Sequence, residues 1–559
     1  MSTAPMWRVK PLSEAPKEIR LTINDKPVVA KPGMTVFQAA QTAGIFIPHY
    51  CYHPDLSIAG VCRMCMCEIE KNPRLQISCN TTVAEGMVVK TDTPKVKETV
   101  QSVLELHLIN HPLDCPICDK AGECKLQDYY KDYGLYKSRI EYDSKNHKPK
   151  VVDIGTIVLD DERCILCTRC VRFTAEVSKT HELGIFNRGD RSVLRTYDDK
   201  PLRNDYTGNL ADICPVGALT AKEFRFKQRV WFLDRNDSIC TQCARGCNVT
   251  VSVNPQTTKL YRVEPRRNPD VNQSWMCDTG RWNVHYLNDD NRIKNPQQRI
   301  DGQMVDETWE TFFKTMSTAL QTNPKKVLVG LSCQMTTEEM ADAVETLNTL
   351  GVSEYTWIVD ETTVEDRKAY DGILKHKDQT PNAAGFLQLM EKSKTPWMKH
   401  EEAIKKLQSK EYDFLVLLGL EGLTMPGVAE MILKTPKETT LAVHATTRVA
   451  LFEKASWLLP NTSSFEKSGT MVNALGLMQK LTASMPWQYM ARDAHAVVFG
   501  LKQGNDRTVS PSGRFQTVFK RLSNEAIFPG ARTDWRKMPA SGVNIGVVGR
   551  AEGIKYAKR

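Results

Sequence analysis

The 559-residue sequence has no apolar run long enough to cross a bilayer. Its best, Phe414–Leu420, is seven residues, against the ~20 that a transmembrane helix needs. Its opening stretch, MSTAPMWRVKPLSEAPKEIR, lacks an apolar core segment, and Glu14 and Glu18 are foreign to a transit peptide. The expectation is a chain with no direct membrane span, on the cytoplasmic side, its thiols reduced. No G-x-G-x-x-G opens a helix after a strand: Gly546, Gly549 and Gly553 have the wrong spacing. A P-loop is missing too, so neither a dinucleotide nor a nucleoside triphosphate site is evident. There is no repeat array and no low-complexity block. A hydrophobic content of 41% and a charged content of 25% exclude a disordered or collagen-like chain.

Net charge is nearly absent over most of the length. Residues 501–559 hold 12 Lys/Arg and four Asp/Glu, a net of +8, which leaves +1 of the total +9 for residues 1–500. The body is neutral and the last tenth is basic. That tail lacks a dense basic run with interleaved aromatics, so nucleic acid is not an expected partner. It reads as a solvated segment or as one docked on an acidic partner surface.

What the sequence has is cysteine. Sixteen of 17 lie at or before Cys277, and only Cys333 follows. Clustered cysteines in a reduced setting bind metal or do redox chemistry. They fall into four sets. Set one is Cys51, Cys62, Cys65 and Cys79, C-x10-C-x2-C-x13-C. It is close to the plant-type [2Fe–2S] pattern but has a longer first gap, and Gly60 and Val61 let the loop wrap closely. Set two is Cys115, Cys118 and Cys124 with a histidine before them, His111 or His107. Chemistry alone leaves that choice open. Set three is Cys164, Cys167, Cys170 and the distant Cys214-Pro215, a ferredoxin-type [4Fe–4S] signature. Set four is Cys240, Cys243, Cys247 and Cys277, with Gly246 letting the loop close around a cubane. Zinc is the alternative for each set, least so for set three. Cys67 and Cys333 read as small core residues. One cluster can be a structural pin; four complete sets in succession suggest an electron wire, which needs partners to supply and accept electrons.

Local patterns organise the rest. Ile19–Ile23 and Val28–Ala30 read as strands, and Thr35 can cap a helix that Gly44 ends. After Asn295-Pro296, strands at Lys326–Leu331, Tyr355–Val359, Asp413–Leu420, Thr440–His444 and Ser456–Pro460 alternate with helical segments. One of these helices starts at the capping box Thr336-Thr337-Glu338-Glu339. This is a βαβ pattern with a parallel sheet.

Several stretches carry a family resemblance: His49-Tyr-Cys51, Cys62-Arg-Met-Cys65, Asn110-His-Pro-Leu-Asp-Cys115-Pro-Ile-Cys118, Gly122-Glu-Cys124-Lys-Leu-Gln127 and Cys164-Ile-Leu-Cys167-Thr-Arg-Cys170-Val-Arg-Phe. They closely resemble the large iron–sulfur subunit of respiratory NADH:quinone oxidoreductase (complex I), the 75-kDa-type family, in its bacterial form. The resemblance implies one [2Fe–2S] cluster on set one and [4Fe–4S] clusters on sets two, three and four. It favours His111 over His107 as the fourth ligand of set two, and it implies a structural role for the fourth cluster. Residues 291–500 are similar to a reduced molybdopterin-oxidoreductase domain through Asp378–Gly385 and Leu459–Asn473. They show no convincing metal-binding cysteine, so molybdopterin is not expected.

The fold class implied is a multidomain α+β and α/β chain. Its segments are an extension (1–18), a β-grasp [2Fe–2S] ferredoxin domain (19–97) and a [4Fe–4S] domain with one histidine and three cysteine ligands (98–145). A ferredoxin-like [4Fe–4S] domain (146–232) and a molybdopterin-oxidoreductase-type [4Fe–4S] domain (233–290) follow. The reduced α/β domain (291–500) and the basic tail (501–559) complete it. The implied function is electron relay from a flavin-bearing NADH-oxidising subunit toward quinone-proximal iron–sulfur subunits, peripheral to the inner membrane, with no complete active site on this chain. The alternative is a relay subunit of a soluble NAD-linked formate dehydrogenase or hydrogenase.

Overall fold

The structure, a computed structural model, describes residues 18–137, 139, 147–148, 151–358, 371–376, 379–421, 426–506, 520 and 538–544. The extension before residue 18 and most of the basic tail lie outside the described residues. The chain divides into a unit ending at Val230 and a unit beginning at Trp231.

In the first unit, β1 (Ile19–Ile23) and β2 (Lys26–Ala30) form an antiparallel hairpin with Leu21 opposite Val28. Leu21, Ile23, Val28 and Ala30 all face inward, which is the alternation of a half-buried sheet. Thr35 caps α1 (Val36–Thr42) with a complete capping box to Gln38, worth about 1 kcal/mol. α1 lays Val36, Phe37, Ala39 and Ala40 on the sheet. β3 (Met66–Ile69), β4 (Gln76–Ile77) and β5 (Val88–Lys90) complete a five-stranded sheet in the order β2-β1-β5-β3-β4, with β1 and β5 parallel.

α2 (Pro94–Leu108) starts at the Thr93 cap, with Pro94 in its first turn. It therefore runs across residues 97 and 98, where the sequence pattern suggests a break. α3 (Lys125–Tyr133) follows. β6 (Val152–Asp153) and β7 (Ile157–Leu159) precede α4 (Arg169–Glu176) and the hairpin of β8 (Leu183–Phe186) and β9 (Val193–Thr196). α5 (Asn209–Ile213) leads to β10 (Leu219–Ala221), which pairs with β7, so residues 171–213 loop out and return.

The second unit opens with an antiparallel sheet of β11 (Asp234–Ile239), β12 (Asn248–Asn254) and β13 (Lys259–Pro265), then α6 (Asp278–Trp282). The hairpin β14 (Gln297–Ile300) and β15 (Gln303–Asp306) and the helix α7 (Trp309–Thr322) precede an α/β body. Its strands β16 (Val327–Ser332), β17 (Tyr355–Ile358), β18 (Phe414–Leu420), β19 (Thr440–Ala445) and β20 (Trp457–Pro460) are parallel. The sheet order is β15-β14-β20-β19-β18-β16-β17. α8 (Thr337–Thr349) starts at Thr336 in the capping box with Glu339 and ends before Gly351 at φ +88°. One face of the sheet packs on α7, α8 and the helices Ala383–Ser393 and Ala494–Gln503; the other packs on His400–Gln408 and on Val428, Met431 and Ile432. Covered on both faces, β16 and β18 are apolar along nearly their whole length.

β21 (Gly469–Val472), β22 (Leu477–Leu481) and β23 (Val543–Asn544) make a further small sheet. β23 lies in the segment read from sequence as a tail. Met538 is buried in the same core as α8, and the helix Ala494–Gln503 crosses residue 500. Residues 538–544 are thus part of the fold, because an apolar side chain and a strand edge outweigh the basic residues around them.

Candidate metal centres

All 17 cysteines are free thiols, and 15 of them are buried, Cys115 and Cys164 being half-buried. Set one is drawn from four places. Cys51 sits in the loop after α1, Cys62 and Cys65 lie before β3, and Cys79 lies in the turn Ser78–Asn80. The Cys51 thiol is in hydrogen-bond reach of Cys62 and Cys79, and Cys65 is in reach of Cys79. The backbone N–H groups of Tyr50 and Cys51 both donate to Cys62 Sγ at 3.4 Å. Hydrogen bonds from Cys62 and Cys79 pull the Cys51 thiol far down, while the partners Cys62 and Cys79 are driven up. Cys65 is held at about 7, chiefly by Cys79. The four sulfurs hold charge as a group. Cys67 shares the apolar core with Cys65 and Cys79 but differs in its partner: its Sγ donates to the Gln76 carbonyl at 3.5 Å, and burial pushes its thiol up to about 12.

In set two, Cys115 opens a tight turn that Cys118 closes, its N–H donating to the Cys115 carbonyl at 3.1 Å. Cys124 stands at the start of α3, where the N–H groups of Gln127 and Leu126 point at its sulfur. A helix N-terminus favours a thiolate there, although burial still raises Cys124 to about 11. The two histidines part company. His107, in the last turn of α2, packs its ring on Tyr50 at 5.2 Å, and the thiol that bears on it electrostatically is Cys51. His111 lies in the turn that leads from α2 to Cys115, its N–H on the Leu108 carbonyl at 3.2 Å.

Cys164, Cys167, Cys170 and Cys214 line one cavity, closed by Ile185, Leu194, Val216, Ala218 and Leu219. α4 supplies Cys170, and α5 ends at Cys214. Burial pushes Cys164 up to about 12 and Cys167 to about 11. Set four likewise lines one cavity, with Cys240, Cys243, Cys247 and Cys277 joined by Met276, Leu374 and Lys375. Burial drives Cys240 and Cys247 well up and Cys277 to about 12. Burial opposes ionisation of these thiols, and a bound cation would offset that cost. Among the described residues, no group of three or more His, Cys, Asp or Glu side chains closes on a single ion. In sets three and four the four sulfurs surround a void, which fits a multi-atom iron–sulfide cluster.

Two glycines fit the same account. A Cβ on Gly217 would lie 2.3 Å from Cys118 Sγ, and one on Gly280 2.9 Å from Cys240 Sγ. Neither stands out in the sequence, because each crowds a cysteine from another part of the chain. Gly246, singled out for closing its loop, has φ +64°, and the atom its Cβ would strike is Gln479 Oε1 at 2.5 Å rather than a sulfur.

Sets one, two and three are fastened to one another. Tyr50 packs at a tilt on Tyr129, ring centres 5.1 Å apart, and feels both Cys62 and Cys124. Lys125 N–H donates to the Pro215 carbonyl at 3.0 Å, and Arg163, beside Cys164, pairs with Asp114, beside Cys115, at 2.6 Å. Arg229 donates to the Cys118 carbonyl at 2.7 Å. The buried Arg169 donates to the carbonyls of Tyr52 and Ile213, the first next to Cys51 of set one and the second next to Cys214 of set three. Set four is fastened otherwise, to β21, β22 and the turn between them. Ala474 N–H reaches the Ala244 carbonyl at 2.7 Å, Asn473 the Arg245 carbonyl at 3.3 Å and Gln479 the Gly246 carbonyl at 2.9 Å.

Four family models match in succession. They are a 2Fe-2S iron-sulfur cluster binding domain over residues 16–94 and an NADH-ubiquinone oxidoreductase-G iron-sulfur binding region over 101–139. An NADH-quinone oxidoreductase subunit 3 ferredoxin-like domain covers 155–220, and an NDSU1/NuoG-like 4Fe-4S domain covers 233–285. The G subunit of Rickettsia conorii NADH-quinone oxidoreductase is 37% identical over 339 residues, 60% of this chain and 50% of its own. The 75 kDa subunit of Reclinomonas americana NADH-ubiquinone oxidoreductase is 38% identical over 395 residues, 69% of this chain and 55% of its own. Over these residues the chain is similar to the large, 75-kDa-type iron–sulfur subunits of NADH:quinone oxidoreductase. It spans about half the length of the curated relatives it matches. A chain of an NAD+-reducing [NiFe]-hydrogenase is 30% identical over 38% of this chain and 91% of its own, at a TM-score of 0.35. No helix of the described residues is long and apolar enough to cross a membrane.

Proposed function

We propose that this chain is an electron-relay subunit of NADH:quinone oxidoreductase. Electrons arrive from a flavin-bearing NADH-oxidising partner and leave toward quinone-proximal iron–sulfur subunits, and the assembled complex couples this flow to proton translocation. The observation that carries the reading is the fastening of sets one, two and three. Their ligand loops share hydrogen bonds, ion pairs and ring contacts within one unit, and electron transfer needs such proximity. Set one (Cys51, Cys62, Cys65, Cys79) holds a [2Fe–2S] cluster on a β-grasp domain. His111 with Cys115, Cys118 and Cys124, then Cys164, Cys167, Cys170 and Cys214, hold [4Fe–4S] clusters. Apolar walls and N–H groups on sulfur tune such centres, and sets three and four supply both, the Leu166 N–H reaching Cys164 and the Gly280 N–H reaching Cys277.

Cys240, Cys243, Cys247 and Cys277 hold a third [4Fe–4S] cluster, which pins the loop 240–247 to the α/β body. That body resembles a reduced molybdopterin-oxidoreductase domain. Ligands of α/β folds bind at the carboxyl ends of the strands. Here those ends are filled by buried groups bonded to one another: the Gln334 side chain with the Glu421 backbone, Lys467 with Glu339, Arg292 with Glu466. No pterin is assigned to it. The complex is peripheral to the cytoplasmic face of the inner membrane.

Iron and sulfide analysis with low-temperature EPR tests the reading. One [2Fe–2S] and three [4Fe–4S] signals are expected. Zinc in place of iron, or fewer than three reducible signals, would sink it. Co-purification with a flavoprotein and membrane subunits, rather than with a formate dehydrogenase or hydrogenase, identifies the complex.

A further inference from the structure

α4 carries more than its ligand Cys170. Three other side chains on this helix reach back over 115 residues to the loop that holds Cys51. Arg169 donates to the Tyr52 carbonyl. Glu176 accepts from the Ser57 backbone N–H at 2.8 Å and from the Ser57 hydroxyl. Arg172 donates through Nη1 to the Ser57 carbonyl. Its Nη2 donates to the Cys51 carbonyl at 2.6 Å and, on a longer bond, to the Cys167 carbonyl at 3.4 Å. Its Nε reaches Thr168 Oγ1 at 3.3 Å. One nitrogen thus touches a ligand residue of set one and a ligand residue of set three.

We propose that Arg172 is the positioning residue that joins the set-one and set-three centres, its Nη2 bridging the carbonyls of Cys51 and Cys167 so that an electron crosses between them without a through-space jump. The inference rests on the cluster assignment above. One electron leaves the centre at set one, which is oxidised, and reduces the centre at set three; no proton moves and no bond breaks. The guanidinium suits the task, since its planar fork holds two acceptors in fixed directions. A lysine ammonium keeps the charge and loses the fork.

The test uses the full chain in its assembled complex, with Arg172→Lys, Arg172→Met and Glu176→Gln. Iron content and EPR give the cluster inventory, redox titration gives both potentials, and freeze-quench EPR follows electrons from set one to set three. Arg172→Met is expected to keep both signals, to slow the transfer and to lower both potentials. The fall in each is about that of a tenfold change in one-electron occupancy, ~59 mV. Arg172→Lys is expected to restore the potentials but not the rate. Glu176→Gln leaves Nη2 in place and keeps both. Transfer at the wild-type rate in Arg172→Lys would overturn the bridge, as would unchanged transfer in Arg172→Met. If Arg172→Met loses a cluster, Arg172→Lys decides alone. A wild-type protein without iron would instead refute the cluster assignment itself.

Discussion

The cysteine sets of the first unit and the one set of the second are built differently. Sets one to three lean on each other: Arg163 pairs with Asp114, Lys125 with Pro215, Tyr50 with Tyr129. Set four leans on an α/β body whose sheet is covered on both faces by apolar side chains. A centre whose neighbours are other centres is placed to pass electrons on. A centre whose neighbours are a packed domain is placed to hold that domain's edge.

The sharpest break of this contrast is a pair of ligand deletions. Cys167→Ala should remove one [4Fe–4S] signal and stop NADH-to-quinone transfer in the assembled complex, measured by EPR and quinone reduction. Cys243→Ala should cost assembly and stability more than transfer per assembled complex. Wild-type assembly with unchanged cluster content in the second variant would erase the distinction.

Next in size is the ion pair of Arg292 and Glu466 in the α/β body, at 2.9–3.0 Å and almost fully enclosed. Removing one partner strands a buried charge. Glu466→Ala should therefore lower unfolding free energy by about 3–5 kcal/mol, read by denaturant titration, with the EPR signals of sets one to three unchanged. A loss below ~1 kcal/mol would mean that water reaches the site.

Buried Glu338 gives the second unit a pH dependence. Burial raises its carboxyl from the ordinary value to about 7, against hydrogen bonds from the Thr470 N–H and hydroxyl and the nearby His495, which favour the charged form. A carboxyl raised on folding stabilises fully below its unfolded value and loses that contribution as pH climbs through 7. Stability of this unit should fall between about pH 4.5 and 7.5 by no more than about 3.5 kcal/mol. His444, buried and lowered to about 4, has the opposite slope between 6.5 and 4. His495, raised above 6.5 against its burial by Asp342, adds to the fall above 6.5, so the difference between wild type and Glu338→Gln above pH 6.5 is what reports Glu338. Glu338→Gln should flatten the profile there; an unchanged slope would assign it to another group.

Much of this was legible in the sequence, and for local reasons. Thr35 and Thr336 announce their helices because a cap bonds three residues ahead. The parallel strands stand out because burial on both faces demands apolar runs. The cysteine sets show through their spacing. What stayed hidden is what acts across the chain. Arg172 and Ser57 are 115 residues apart, Gly217 matters to Cys118, and Gly280 to Cys240. No local pattern marks such pairs. Glu338 and Lys467 read as surface residues by type, and only the fold encloses them.

The smallest expected effect separates ligand from bystander within one strand's reach. Cys65 and Cys67 are two residues apart and both are fully buried, but only Cys65 bonds to Cys79. Cys67 turns its thiol to the Gln76 carbonyl and packs with the apolar core of the five-stranded sheet. Replacing Cys67 by Ala removes one buried sulfur, a change on the scale of a single core truncation, about 1 kcal/mol. The [2Fe–2S] signal should keep its shape and intensity. Cys65→Ala should abolish it, because three thiolates cannot complete that centre. If Cys67→Ala also removed the signal, the alternation that turns Cys67 inward along β3 would no longer serve as the criterion for sorting ligands from packing.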